Sequence, residues 1–368
     1  MKKRYIPLDI LRGLTITFMC IVNNPGSWSK AFAPLKHAPW DGCTPTDLVY
    51  PFFIFCMGCA MAFSFAKYDG LSREAASKLL KRGILIFGVG LLLALYPFYP
   101  YHPHDESWSF WQNYGYWLGN KRIMGVLQRI ACSYVLAGLL VLALKKDAKK
   151  IGIAMAALCA VYTLILVIFG EAPGPFTLEG NFARKVDLAL LGANHMYSVN
   201  GIAFDPEGLL GSLTGACTAL LGFLIGDVAK RSDSHVGLSA KLFATGFCLI
   251  AAGLVISIWV PINKSLWSAS YVLYAGGWST IALAMIGYLV DVRGYGKWFE
   301  PAKAMGMNAL TAFVMAGLIV KTFGWIGWAP NRYFAANGLT SLVYSLLFVS
   351  VIFSILWVMY KKNIVVKL

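Results

Sequence analysis

Between Leu35 and Gly58 the chain reads LKHAPWDGCTPTDLVYPFFIFCMG, with one histidine and two aspartates at the lip of an apolar run. Trp40, Asp41, Thr44 and Asp47 follow His37 closely, and Asn23 and Asn24 precede it at the end of another apolar run. An imidazole among carboxylates and amides is the equipment of a general base. A carboxylate orients the ring, the ring takes a proton, and an amide donates to a developing oxyanion. Asp47, with Thr46 beside it, would also serve as a plain helix cap.

Other polar residues sit where a membrane would make them costly. Arg129, beside Gln128 in VLQRIA, lies inside an apolar stretch at a depth like that of Asp47, and the two are expected to pair. Asp9 and Arg12 are three apart on one helix face; Arg12 pairs there or faces an inner cavity and an anion, with Lys81 and Arg82 near the same surface. In FDPEGLLG, Asp205 as cap, Pro206 and Glu207 make a helix start, and the two carboxylates would suit an ammonium or sugar hydroxyls. Asn308, in AMGMNALTAF, is a buried amide that needs a partner.

These residues are carried by an unusually apolar chain. Of its 368 residues 58% are hydrophobic and 13% charged, with a mean hydropathy of +0.64. A soluble domain carries about 25% charged residues, so the composition indicates a polytopic membrane protein. Ten apolar stretches are expected to span, at about 8–24, 47–66, 83–99, 122–144, 151–170, 208–228, 238–260, 270–290, 304–323 and 339–360. The fold class is therefore all-α: a membrane bundle of about ten transmembrane helices, in one domain over 1–368. Period-two alternation is absent, which argues against a barrel.

One set of connections holds 21 of the 32 basic residues and the other holds 9, with Arg12 and Arg129 inside spans. That asymmetry puts both termini in the cytoplasm and explains most of the net charge of +15. The basic residues are scattered over short segments, so no nucleic-acid partner is expected. The start MKKRYIPLDILRG reads as a first span rather than a cleaved leader, because Asp9 and Arg12 interrupt its apolar core.

The outer connections hold eight tryptophans, among them Trp40, as interfacial anchors or as platforms for sugar rings. His102, His104 and Asp105 match no zinc spacing, so no metal is expected. Cys56 and Cys59 in CMGC read as packing residues. No clean internal repeat or matched pair of broken helices appears, which weighs against a secondary transporter.

The patterns PLDILRG, NNPG, HAPWDGCTPTDLVYPFFIFCMG, VLQRIA, FDPEGLLG and GMNAL occur in an order that resembles the heparan-α-glucosaminide N-acetyltransferase family of transmembrane acyltransferases. The resemblance runs from about residue 4 to the C-terminus. It implies an acetyltransferase that takes acetyl from cytoplasmic acetyl-CoA and delivers it to a glucosamine amine across the membrane. The family's active histidine matches His37, its helix-opening acid Asp47, and its asparagine Asn24, with Asn23 the alternative. Asp41 is a second candidate to orient the imidazole. Arg12, Arg82, Arg129, Gln128 and Asn308 are the expected acetyl-CoA-binding residues, and Trp40, Asp205 and Glu207 the acceptor-binding ones.

The expected partners are an amino sugar or glucosamine-ended oligosaccharide and membrane lipids, with a homodimer compatible. The expected location is a bacterial cytoplasmic (inner) membrane. His37 would act as general base or as a transient acetyl carrier, and the residues leave both open. A permease for amino sugars without acyl chemistry is the competing reading.

Overall fold

The computed structural model describes residues 5–366. The chain folds into an almost entirely helical bundle. Helix α1 (Ile6–Asn23) opens with Pro7 in its first turn, where a missing N–H costs nothing. A loop leads to α2 (Pro45–Ser64). Helix α3 (Arg73–Leu95) starts at a Ser72 cap that accepts from the Ala75 N–H. The short α4 (Phe110–Gly119) precedes α5 (Val126–Ala143) and α6 (Ala148–Phe169). A second short helix, α7 (Phe182–Leu191), and a hairpin of β1 (Ser198–Val199) with β2 (Ile202–Ala203) lead to α8 (Ser212–Arg231). Then come α9 (His235–Ile256), α10 (Ala269–Gly287), α11 (Glu300–Met307), α12 (Ala309–Trp325) and α13 (Gly338–Lys361).

Among the described residues, eight helices are long and apolar enough to cross a membrane: α1, α2, α5, α6, α8, α9, α10 and α13. A ninth span is available if α11 and α12, bent by 65° at Asn308, are counted together. The stretch expected at 83–99 is the apolar half of α3, whose first half carries Arg73, Lys78, Lys81 and Arg82. Helix α8 is central, with 78% of its apolar window buried, whereas α6 has only 17%. The outward face of α6 shows Ile153, Leu164, Val167 and Ile168, side chains suited to lipid tails.

Two helix pairs approach closely because glycines face backbone. Helix α2 packs on α8, and a Cβ at Gly58 would overlap the Ala219 carbonyl, while one at Gly222 would overlap that of Phe55. Helix α1 packs on α11 through the same device at Gly13 and Gly306. Without a strong hydrophobic drive between helices in lipid, such seams supply van der Waals contact in its place.

The connections α1–α2, α3–α5, α6–α8 and α9–α10 meet at one end of the bundle. The Trp40 indole donates to Phe176 O at 2.8 Å, and Gly42 N–H donates to Ile262 O at 2.7 Å. The segment 205–211, ahead of α8, is pinned from three sides. Arg122 forks onto Asp205 at 2.9 and 2.6 Å and also reaches Glu207. Arg129 donates to Pro206 O and, at 2.6 Å, to Gly211 O. On α7, buried Asp187 accepts the Leu209 N–H at 2.8 Å, and its carboxylate fills the space a side chain at Gly208 would need. The helix thus begins at Ser212 and not at Asp205, because Asp205 spends its oxygens on Arg122 and on the N–H groups of Tyr197 and Glu207.

Two stability measurements check this packing. Gly58→Ala is expected to cost about 1–3 kcal/mol, seen as a lower thermal midpoint in detergent, whereas Gly88→Ala, which meets nothing within 4 Å, is neutral or slightly stabilising. Burial pushes the Asp187 carboxyl up to about 6, with the Leu209 N–H opposing and Asp205 adding to the rise. A raised folded value means its contribution is complete below the unfolded carboxyl range, about pH 4, and is lost as pH rises through about 6. Asp187→Asn should remove on the order of 2 kcal/mol of that falling pH dependence, measured as thermal midpoints from pH ~4 to ~7.

Candidate active site

The loop before α2 is folded by its own polar residues. Thr46 Oγ1 donates to Pro34 O at 3.0 Å and Thr44 Oγ1 to Lys36 O at 2.7 Å, which bends Lys36–Thr44 over the helix start. Gly42, at φ +104°, makes a turn that a side chain would resist. Thr44 is the N-cap of α2 and Asp47 its N3 residue, so Asp47 Oδ2 accepts the Thr44 N–H at 3.0 Å. Asp47, expected as the cap itself, is instead the N3 partner of the Thr44 cap, and this role engages only one carboxylate oxygen.

The other oxygen meets the histidine. Asp47 Oδ1 lies 2.6 Å from His37 Nδ1, and Oδ2 also accepts the Ala38 N–H at 3.0 Å. A carboxylate at that distance puts the ring proton on Nδ1 and leaves the Nε2 lone pair free. Asp47 is 1% exposed, while the His37 side chain is 42% exposed. The acid is sheathed and the imidazole is accessible.

The connection between α9 and α10 completes the cluster. Asn263 Nδ2 donates to Asp41 Oδ1 at 3.0 Å, and Asn263 Oδ1 accepts the Leu266 N–H at 2.8 Å. This aims Lys264 at the site, with Nζ 3.1 Å from His37 Nδ1 and 3.6 Å from Asp47 Oδ1. Burial lowers the Lys264 pKa below that of an ordinary lysine, and Asp47 and Glu207 oppose the fall. Glu207 is lowered instead: burial alone would raise it, but the Arg122 and Lys264 charges outweigh burial. Arg122 is raised although burial opposes it, because Asp205 and Glu207 hold its charge.

His37, Lys264 and Glu207 line one cavity of about 300 Å³. On α2 its lining runs from Thr46 to Ser64, about 27 Å of helix. On α1 it runs in the opposite chain direction, from Asn23 beside the His37 end to Arg12. Arg82 of α3 and Tyr134 of α5 join Arg12 at that far end, and the Arg82 guanidinium lies 5.3 Å from the Tyr134 ring centre. The middle is apolar, with Met19, Val49, Phe53, Met57, Ile86 and Phe313. Both ends are thus charged and the passage between them is greasy.

Several expected residues lie elsewhere. Arg129 makes no ion pair with Asp47; its fork is taken by two backbone carbonyls and its face lies 4.6 Å from the Trp267 ring. Asp41 is held by Asn263 and not by the imidazole. Asn24 turns its amide back to Cys20 O at 2.8 Å, so it is Asn23 that lines the cavity. Asn308 clamps the chain after α13, donating to Ile364 O at 3.0 Å and accepting from Val366 N at 2.9 Å. Gln128 packs against Gly90 and Gly125, Trp40 is spent on Phe176 O and on the Phe204 ring, and Asp205 is sealed beneath Arg122. Arg129, Gln128, Asn308, Trp40 and Asp205 are absent from the cavity lining.

Lys264, Arg122, Asn263 and Asp187 are site-building residues that the sequence reading passed over. The only signal for Lys264 was an Asn-Lys pair in the short apolar connection PINKSLWS. Among the described residues no group of three or more His, Cys, Asp or Glu side chains is arranged to hold a metal ion.

The chain is similar to known proteins. The family model described as heparan-alpha-glucosaminide N-acetyltransferase, catalytic, matches residues 4–173, which carry α1–α6 and the His37 loop. Curated heparan-alpha-glucosaminide N-acetyltransferases of Homo sapiens and Mus musculus are each 27% identical, over 362 and 364 residues. The match covers 83% of this chain and 52% of each relative, so the chain spans about half the length of the curated relatives it matches. The chain is an integral membrane protein, and it is similar to the heparan-alpha-glucosaminide N-acetyltransferases over most of its length.

Proposed function

We propose that this protein moves an acetyl group from acetyl-CoA, entering from the cytoplasm, to the amine of a glucosamine-type sugar on the opposite face of a bacterial inner membrane. The observation that carries this reading is the single cavity that joins an Asp47-backed imidazole to a pair of arginines along nearly the whole of α2. A nucleotide's phosphates suit Arg12 and Arg82. The pantetheine arm suits the apolar passage, and the thioester then lies at His37. The asymmetry of Lys and Arg supports an orientation with the arginine end and both termini in the cytoplasm.

The acceptor enters at the His37 end, where Glu207 offers a carboxylate to its ammonium. Once neutral, the amine nitrogen attacks the thioester carbonyl carbon. His37 Nε2 takes the proton that nitrogen sheds, and the Asn23 amide donates to the tetrahedral oxyanion. Collapse breaks the carbon–sulfur bond and expels the CoA thiolate, which takes the proton from the imidazolium. Asp47 keeps the ring in the Nδ1–H tautomer throughout, as the orienting acid does in a triad. Acetyl found on His37 in the absence of acceptor would assign the ring a nucleophile's role instead.

CoA release from purified protein, given acetyl-CoA and glucosamine or glucosamine-ended oligosaccharides, tests the assignment. His37→Ala is expected to lose about 10²–10⁴-fold. Asn23→Ala is expected to lose about 10²–10³-fold, while Asn24→Ala stays within a few-fold. Arg12→Gln and Arg82→Gln should raise KM for acetyl-CoA more than they lower kcat. If no acyl-CoA is cleaved and none binds, the amino-sugar permease replaces this reading.

A further inference from the structure

The Asp47–His37 pair carries a chemical conflict. A buried carboxylate 2.6 Å from Nδ1 orients the ring, but its charge also favours the imidazolium. A base that must accept a proton at Nε2 has to meet its substrate neutral. Asp47 taken alone would position His37 well and fill its basic site at the same time.

The charges around the ring are few. On its own loop, Lys36 is turned to Ser29 O, Asp41 is held by Asn263, and burial pushes the Cys43 thiol up to about 12. Asp47 approaches from α2, Glu207 from the segment before α8, and Lys264 from the α9–α10 connection. Arg122 is spent on Asp205 and Glu207, and Arg129 on backbone carbonyls. Among the described residues, Lys264 is the one cation with an atom within hydrogen-bond distance of the imidazole.

Its contact with the ring is electrostatic rather than a hydrogen bond. Nδ1 already carries the proton directed at Asp47 Oδ1, and an ammonium has no acceptor to offer it. Imidazole and ammonium therefore share one carboxylate oxygen, at 2.6 and 3.6 Å. We propose that Lys264 is a positioning residue for the transfer: it cancels the charge of Asp47 while leaving that carboxylate's geometry intact, so that His37 is held by an acid without being protonated by it. The cation also opposes the imidazolium once the amine proton has arrived, which hastens the proton's passage to the CoA thiolate. This inference rests on His37 being the base. Nothing in it depends on which sugar is the acceptor.

The test reads His37 with and without turnover. Diethyl pyrocarbonate acylates an imidazole only in its neutral form, so the pH dependence of the imidazole adduct, taken as the difference from a matched His37→Ala protein, reports the state of this ring. Lys264→Met is expected to move the midpoint of that curve, and the acid limb of the CoA-release profile, upward by about one pH unit. Lys264→Arg should leave both within about 0.3 unit of the native protein.

Lys264→Gln serves in the same way if the methionine variant does not elute as a single species. A neutral variant that elutes like the native protein and whose midpoint coincides with the native one overturns the proposal. So does an arginine variant that shifts as far as the neutral ones. If the native protein releases no CoA, the acetyl-transfer reading fails on that count. The modification curves still decide whether Lys264 controls the ring.

Discussion

The site depends on how one buried carboxylate is shared. Asp47 accepts from the N–H groups of Ala38 and Thr44, from the His37 ring, and faces Lys264. The two backbone donors close the loop onto the first turn of α2. The ring thereby becomes part of the helix start rather than a side chain on a mobile segment. A buried carboxylate with fewer partners would be costly enough to displace the loop. The same four contacts that make Asp47 tolerable in the bundle thus define where Nε2 points.

Everything behind that carboxylate serves to keep the cavity open without loosening the bundle. Tyr271 OH donates to the Asp47 backbone carbonyl at 2.6 Å, tying the first turn of α2 to α10. The Gly58–Ala219 and Gly222–Phe55 seams press α2 onto α8 on the side away from the lumen. The lumen side carries Phe53, Met57 and Met61 among smaller residues such as Cys56, Ala60 and Ser64. Close packing on one face of α2 and open space on the other is a division that Gly58 makes possible, because it lets α8 approach on the side opposite the lumen-lining residues.

How far the sequence could be read follows from how local each interaction is. The His37–Asp47 pair was legible because both residues lie on one loop–helix junction, ten positions apart. The spans were legible from apolar length, although α3 and the α11–α12 break show that a charged half or a single Asn308 clamp can leave a span incomplete. Arg129 was recognised as buried, but its partners are the carbonyls of Pro206 and Gly211, and no residue type advertises a carbonyl. Asp205 had the look of a helix cap until Arg122 claimed it from another connection. Lys264 stood no chance of being found by spacing, since it is 227 positions from His37. Asn24 and Asn23 differ only in which side of a helix end they occupy, and that is settled by the turn of the last residues of α1.

The apolar middle of the cavity bears on the choice between transfer and transport. A permeation path must offer a polar solute hydrogen bonds along its length, because a sugar stripped of water without replacement is expensive. Here polar side chains gather at the two ends, and Met, Val, Ile and Phe line the stretch between. Such a passage resists a sugar but accommodates a thin, flexible chain with few polar groups. The arrangement asks that one substrate remain anchored by its charge at one end while the other waits at the far end. In the proposed transfer, reaction then occurs only where the two meet, beside His37.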